Sequence, residues 1–202
     1  MQGRGRCGIR VTMAENSRSG QGGSAAAAAL APDRSLEYVL GHAGTPDKFC
    51  AALAKLFGVR QKEVALLRLE HGLLKFLFPE QLKTAGSIPV SSSSSVAAHT
   101  ASAKKTELFN SFTKVRHARV FETVKLSTPE EEGADQEHTA IQKLMSAPVL
   151  TPERKVLGVI QISRKGFDAN SAGPDFTTSD VQQLELAAKV AATLSFMVAN
   201  SK

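Results

Sequence analysis

Apolar residues first recur at helical spacing after Thr45: Phe49, Leu53, Leu56 and Phe57 fall on one face. Thr45 stands as N-cap, Pro46 at the first helical position, and Gly58 where a left-handed C-cap is wanted. A shorter helix before it is capped by Asp33 or Ser35. The period then drops to two. VALLRLEHGLLKFLFP reads as a hairpin turning on His71-Gly72, with Glu70 opposite Leu73, Leu69 opposite Leu74, Leu67 opposite Phe76 and Ala65 opposite Phe78. In this register the last three pairs share an apolar face, while Arg68, Glu70 and Lys75 lie on the other among Val64, Leu66 and Leu77.

A serine run ahead of Val96-Ala97-Ala98 predicts a helix over 94–103, a strand follows over 106–112, and Thr113 caps a further helix, KVRHARVFETVKL. The acidic stretch 127–138 lacks the Asp/Asn/Gly alternation of a calcium loop and reads as a solvated connection. Strands return as AIQKLMSAPVL and KVLGVIQIS, joined by a tight turn at Thr151-Pro152-Glu153-Arg154. On the second, Val156, Gly158, Ile160 and Ile162 share a face, and mid-strand Gly158 marks a bulge or a place where something packs closely. A final helix over 177–200, capped by Thr178 or Ser179, carries two apolar stripes: Val181, Leu184, Ala188, Ala191 and Val198, then Leu186, Val190, Leu194 and Met197. Such a helix must bury more than one face, so one stripe is expected on the sheet and the other on a second copy of the chain.

Composition adds bounds. The chain has 202 residues, 42% of them hydrophobic, enough to bury the core of one domain, here 33–202. Residues 1–32, with GRGR, SRSGQGGS and a run of five alanines, read as a disordered basic and alanine-rich tail. The net charge is +6, but Arg4, Arg6, Arg10 and Arg18 against Glu15 place half of it in this tail. Met13 offers an alternative start that would remove three of those arginines. No window approaches the roughly 18 apolar residues a membrane-spanning helix needs, and no secretory signal is visible, so a cytoplasmic protein without membrane attachment is expected. Cys7 and Cys50 differ too much in context for a disulfide or thiolate metal site, and Cys50 beside the apolar stripe reads as a packing residue.

In this order, the hairpin LRLEHGLLKFLFP, the SAPVL strand, KVLGVIQISRK and FTTSDVQQLELAAKVAATL resemble the GAF domains, small-molecule sensor modules of phosphodiesterases, phytochromes and bacterial regulators. The resemblance covers about residues 46–199. It implies an α+β, PAS-related fold: an antiparallel central sheet with flanking helices and a long C-terminal helix. Cyclic-nucleotide-binding members carry Asn-Lys, a variable loop, then Phe, three residues and Asp-Glu. Here Arg164 replaces the Asn, Lys165, Phe176 and Asp180 match, and Val181 replaces the Glu. The match implies a structural clasp in which Lys165 pairs with Asp180 and Phe176 anchors the return. The two departures argue against cyclic nucleotides as the ligand.

The cysteines needed for bilin attachment or methionine sulfoxide reduction are absent from the matching positions, and no His/Cys/carboxylate cluster suggests a metal. The expectation is therefore a non-catalytic sensor, with no catalytic or metal residues and no cofactor identified. It binds an unidentified small molecule between the sheet and the helices of 94–126 and forms a homodimer. Ser94, Ser95, Asn110, Arg116 and His117 are the ligand-binding candidates. A structural dimerisation module whose pocket is filled is the alternative. Nucleic-acid binding through the basic tail ranks third, because the tail lacks the aromatic residues of single-strand binders.

Overall fold

The computed structural model describes residues 32–84, 86–112 and 140–198. Helix α1 spans Pro32–Gly41, beginning at the last residue assigned to the tail, and α2 spans Pro46–Phe57. Local chemistry sets both ends of α2: Thr45 Oγ1 accepts from the Lys48 amide at 3.3 Å, and Gly58 closes the helix at φ 58°. The hairpin strands β1 (Val64–Glu70) and β2 (Leu73–Phe78) turn on His71 and Gly72, both at positive φ. Next come β3 (Ser87–Pro89), α3 (Val96–Ala103), β4 (Glu107–Phe109), β5 (Ala140–Leu150), β6 (Val156–Gly166) and α4 (Thr178–Ala191). The helix expected from Thr113 and the acidic stretch 127–138 lie outside the described residues. No described helix is long and apolar enough to cross a membrane.

Among the described residues the strands form one antiparallel sheet in the order β3-β2-β1-β6-β5-β4. Its two faces carry separate cores. On one, Val64, Leu66, Met145, Ala147, Ile160 and Ile162 pack against α1, α2 and α4; on the other, Leu67, Leu74, Phe76, Ile88 and Val159 pack against α3. The hairpin register follows the sequence pattern from Glu70↔Leu73 to Leu67↔Phe76, then departs from it. Leu77 is an extra residue in β2, so Phe78 meets Leu66 rather than Ala65 and crosses to the helix-layer core. A second bulge at Gln142 of β5 places Ile141 opposite Lys165 and Lys143 opposite Arg164, and a third at Leu157 of β6 turns Val156 to the α3-side core, away from the face it was expected to share with Ile160 and Ile162.

The last helix is shorter than its apolar pattern suggests. After Ala191 the amides of Thr193, Leu194 and Met197 bond to carbonyls three residues back, and the Thr193 hydroxyl takes the Val190 carbonyl at 2.8 Å. The chain then turns inward. Phe196 meets Phe49 edge-on, with centroids 6.0 Å apart, and Arg68 donates to the Phe196 carbonyl at 3.0 Å. Met197 is buried over Gly158. Much of both stripes packs within the chain: Leu184, Ala188 and Ala191 of the first and Met197 of the second are buried, Val190 and Leu194 pack on the same core, α1 lies alongside, and Val198 stays exposed.

Gly158 shows why the turn can close. A Cβ there would stand 2.0 Å from the Leu67 carbonyl oxygen and 2.6 Å from Met197 Cε. Gly158→Ala is therefore expected to destabilise the fold by ~1–3 kcal/mol through overpacking, read as a lowered urea midpoint, with Met197→Ala relieving only the side-chain part of the clash.

Candidate functional site

Pairing on both flanks over residues 158–162 makes the alternating residues of β6 divide between the two faces from Gly158 onward. Gln161, Ser163 and Lys165 form a polar stripe on the α3 side, and they line a cavity of about 80 Å³ with Phe76, Leu82 and Leu144. Ser95 stands at its rim, where its hydroxyl also caps α3 by accepting from the Ala98 amide at 3.4 Å. An apolar wall with a few polar groups at its base is the usual composition of a small-molecule site.

Each polar group is held by a neighbour. Ser163 Oγ donates to the Glu63 carbonyl at 2.9 Å, and the Lys165 amide donates to Glu63 Oε1 at 2.8 Å. Gln161 Nε2 donates to Ser146 Oγ at 3.3 Å, Ser146 lies 2.8 Å from Thr100 Oγ1, and Thr100 lies 2.6 Å from Glu107 Oε2. A carboxylate only accepts and a hydroxyl has one proton, so Thr100 donates to Glu107 and Ser146 donates to Thr100. His99 Nδ1 meets the other carboxylate oxygen at 2.8 Å. This directed chain runs from the exposed side of α3 across the sheet face to the cavity, and it fixes the Gln161 amide with Nε2 toward Ser146.

Glu63 anchors the opposite rim. Burial pushes its carboxyl up, but hydrogen bonds from the Arg60 side chain and from the amides of Lys165 and Arg60 outweigh burial and hold it below its ordinary value.

No family model and no curated protein matches the chain. Solved structures do. The GAF domain of Acinetobacter phosphoenolpyruvate-protein phosphotransferase matches with a TM-score of 0.56 at 12% identity, over 79% of this chain and 87% of that one. The GAF domain of A. aeolicus nlh2 in an inactive state matches with a TM-score of 0.53 at 13% identity, over 79% and 90% of the two chains.

The fold is GAF-like.

A third similar structure is the free methionine-R-sulfoxide reductase of Neisseria meningitidis in complex with its substrate, with a TM-score of 0.52 at 15% identity, over 79% and 83% of the two chains. That similarity corrects the expectation of a non-enzymatic module. A GAF-like fold also carries enzymes, so membership of the fold gives no ground for excluding catalysis. As for the cysteines, Cys7 lies outside the described residues, and Cys50 is buried on α2 behind the sheet. Burial pushes the Cys50 thiol up and the nearby Asp47 charge adds to this, which keeps it protonated as a packing residue.

Within the GAF-like fold the sequence candidates separate. Ser95 reaches the cavity, whereas Ser94 is exposed, 3.2 Å from Ser92 Oγ. Asn110 instead ties down the approach to α4, where its side chain bonds both the N–H and the carbonyl of Phe176, each at 3.0 Å. Arg116 and His117 lie outside the described residues. Glu63, Gln161 and Ser163 are missing from the sequence candidates, although period two along β6 already sets Gln161 and Ser163 opposite Ile160 and Ile162.

The clasp across the β6–α4 loop is present with different partners. Lys165 lies on the cavity face, while Asp180 closes a capping box with Thr177 of its own helix. The loop is instead held by the neighbouring residues on the helix-layer face. The Arg164 guanidinium lies 4.6 Å from the Phe176 ring centroid and donates to the Phe57 carbonyl at 3.0 Å. Beside it, buried Lys143 donates to the Gly173 carbonyl at 2.5 Å and pairs with Asp175 at 2.7 Å. Gly166 lets the loop lie flat, since a Cβ there would stand 2.6 Å from the Ala172 nitrogen.

Two outcomes follow from this geometry. Arg164→Ala or Lys143→Ala should speed amide hydrogen exchange over residues 167–177, while Lys165→Ala leaves those amides as protected as in the parent chain. Glu63 gives an acid-side dependence: its folded-state value lies below the ordinary 4.5, so its contribution is complete above that value and is lost as pH falls through the folded one. Glu63→Gln should cost about 1–3 kcal/mol near neutrality and less in acid, measured by urea unfolding across that range.

Proposed function

We propose that the chain is a GAF-like regulatory module that binds a compact anionic metabolite in the cavity on the α3 side of the sheet. What supports this reading is the polar stripe of Gln161, Ser163 and Lys165 on one face of β6, in a cavity also lined by apolar Phe76, Leu82, Ile88 and Leu144. A strand buried on both faces gains most from apolar side chains, and three polar ones in a row on one face weaken that packing unless they serve a ligand. Lys62 joins Lys165 in the lining and gives the site a positive end, since Glu63 is already engaged by Arg60 and by the Lys165 amide. The cavity, at about 80 Å³, has room for a carboxylate or phosphate head group rather than a drug-sized ligand, which needs ~300 Å³ or more.

Thermal-shift screening of the full chain against small carboxylates, phosphates and nucleotides tests the proposal. A true ligand at 100 times its Kd should stabilise the fold by about 2.7 kcal/mol. Gln161→Leu and Lys165→Met should each abolish the response while the unliganded protein still melts cooperatively. An unresponsive protein across the panel, or a response that both substitutions preserve, would sink the reading.

A further inference from the structure

A second concavity lies at the other end of the sheet and shares no lining residue with the cavity. It is an open groove of about 840 Å³ between the α3–β4 connection, the β5–β6 turn and the outer face of α4. Lys104 and Lys105 come from the first of these, Arg154 from the second and Lys189 from the third, against Glu185 as the acid in the lining. Residues far apart in sequence thus bring four cations around one depression. Arg154 Nη2 stands 3.5 Å from the Lys104 carbonyl, which ties two of the three walls together.

We propose that this groove receives an acidic, partly apolar segment of a partner protein. Like charges drawn together in this way repel one another, and a partner of opposite sign relieves the repulsion. The groove is built differently from a phosphate cradle. α3 ends at Lys104, so it presents its C-terminal carbonyls here, and the α4 residues in the lining lie toward that helix's C-terminal end. These dipole ends disfavour an anion close to the backbone, and negative charge is met instead at the tips of long side chains, spread over three walls. Between the cations the floor is apolar, with Pro148, Leu150 and Ala192. The β4 ladder stops at Glu107↔Ser146, which leaves Pro148 and Leu150 beyond it on the edge of β5. Proline there has no N–H to offer an added strand, so the segment is recognised through side chains: carboxylates on the rim and apolar groups on the floor.

Fluorescence anisotropy with a labelled peptide of roughly ten alternating glutamates and leucines tests this on the full chain. Binding should be saturable and weaken about tenfold or more between about 50 and about 500 mM salt. The triple variant Lys104→Glu, Arg154→Glu, Lys189→Glu should bind about tenfold more weakly or worse. A control with the same change in net charge, Lys48→Glu, Lys55→Glu, Lys83→Glu, should bind as the parent does. If the groove reversal fails to fold in a far-UV melt, the glutamine versions of the same three positions are read by the same criterion. The proposal is overturned by absent or non-saturable binding, by equal losses in groove and control variants, or by pyrophosphate displacing the peptide at comparable concentration, which would mark a small-phosphate site. None of these readouts depends on the metabolite cavity.

Discussion

Strand β6 is hydrogen-bonded along both edges, to β1 on one side and β5 on the other. That pairing removes rotational freedom from the strand, so from Gly158 onward each side chain is assigned to one face by parity. The rest of the molecule is arranged around this division. From Gly158 onward, even-numbered residues meet the layer of α1, α2 and α4, and odd-numbered ones meet α3 and the cavity. A slip of one position would put Gln161, Ser163 and Lys165 against Leu184 and Phe49 and turn Ile160 and Ile162 toward the cavity. Several polar groups would then lie buried without partners, at a cost well above the net stability left to a domain of this size. The bulges at Leu77 and Gln142 leave this division intact because they are accommodated off β6, and the one extra residue of β6 itself, Leu157, reverses the alternation only ahead of Gly158.

The same parity explains how one basic pair serves two ends. Arg164 and Lys165 are adjacent in sequence, yet a strand sends them to opposite faces. Arg164 joins Lys143, its cross-strand neighbour, and together they hold the loop that leads into α4. Lys165 lies on the cavity face, with its amide fixed by Glu63. Two cations side by side would repel in isolation. Here each has its own counterpart: Asp175 and a carbonyl for Lys143, an aromatic face and a carbonyl for Arg164. The helix that closes one core is therefore positioned from the strand whose other face carries the candidate site.

What can be read from the sequence depends on how local the determining interaction is. Both ends of α2 are legible because Thr45, Pro46 and Gly58 act within one turn of the helix. The hairpin register is legible as far as Leu67↔Phe76, but the bulge at Leu77 depends on which core Phe78 must reach, and no neighbour in sequence reports that. The end of α4 is hidden for a similar reason. Nothing near Ala191 breaks a helix; the turn is decided by Met197 finding the space over Gly158, some 40 residues earlier. Asn110 resembles a ligand contact because its partner, the Phe176 backbone, lies 66 positions away. Lys165 differs from these. The alternation that sets Gln161 apart from Ile160 also sets Lys165 apart from Arg164, and a pairing with Asp180, which rests on a family motif, conflicts with that alternation.

The polar stripe also bears on how the site would respond to a ligand. Gln161, Ser163 and the backbone of Lys165 are each bonded to protein atoms before anything binds: the last two to Glu63, and Gln161 to Ser146, which leads on to Thr100 of α3 and Glu107. A ligand group that pulled on Gln161 would compete with Ser146, and the disturbance would pass along a directed chain of donors rather than through loosely packed side chains. Because every hydroxyl in that chain has one proton, it cannot absorb the change locally: reversing one donor leaves two acceptors facing each other or forces the next donor to turn. The far end is His99, on the exposed side of α3, a helix that also borders the basic groove through Lys104. The cavity and the groove are thus separate in their lining and share one helix, held at one end by the hydrogen bonds leading to Gln161 and at the other by the contact between Arg154 and the Lys104 carbonyl.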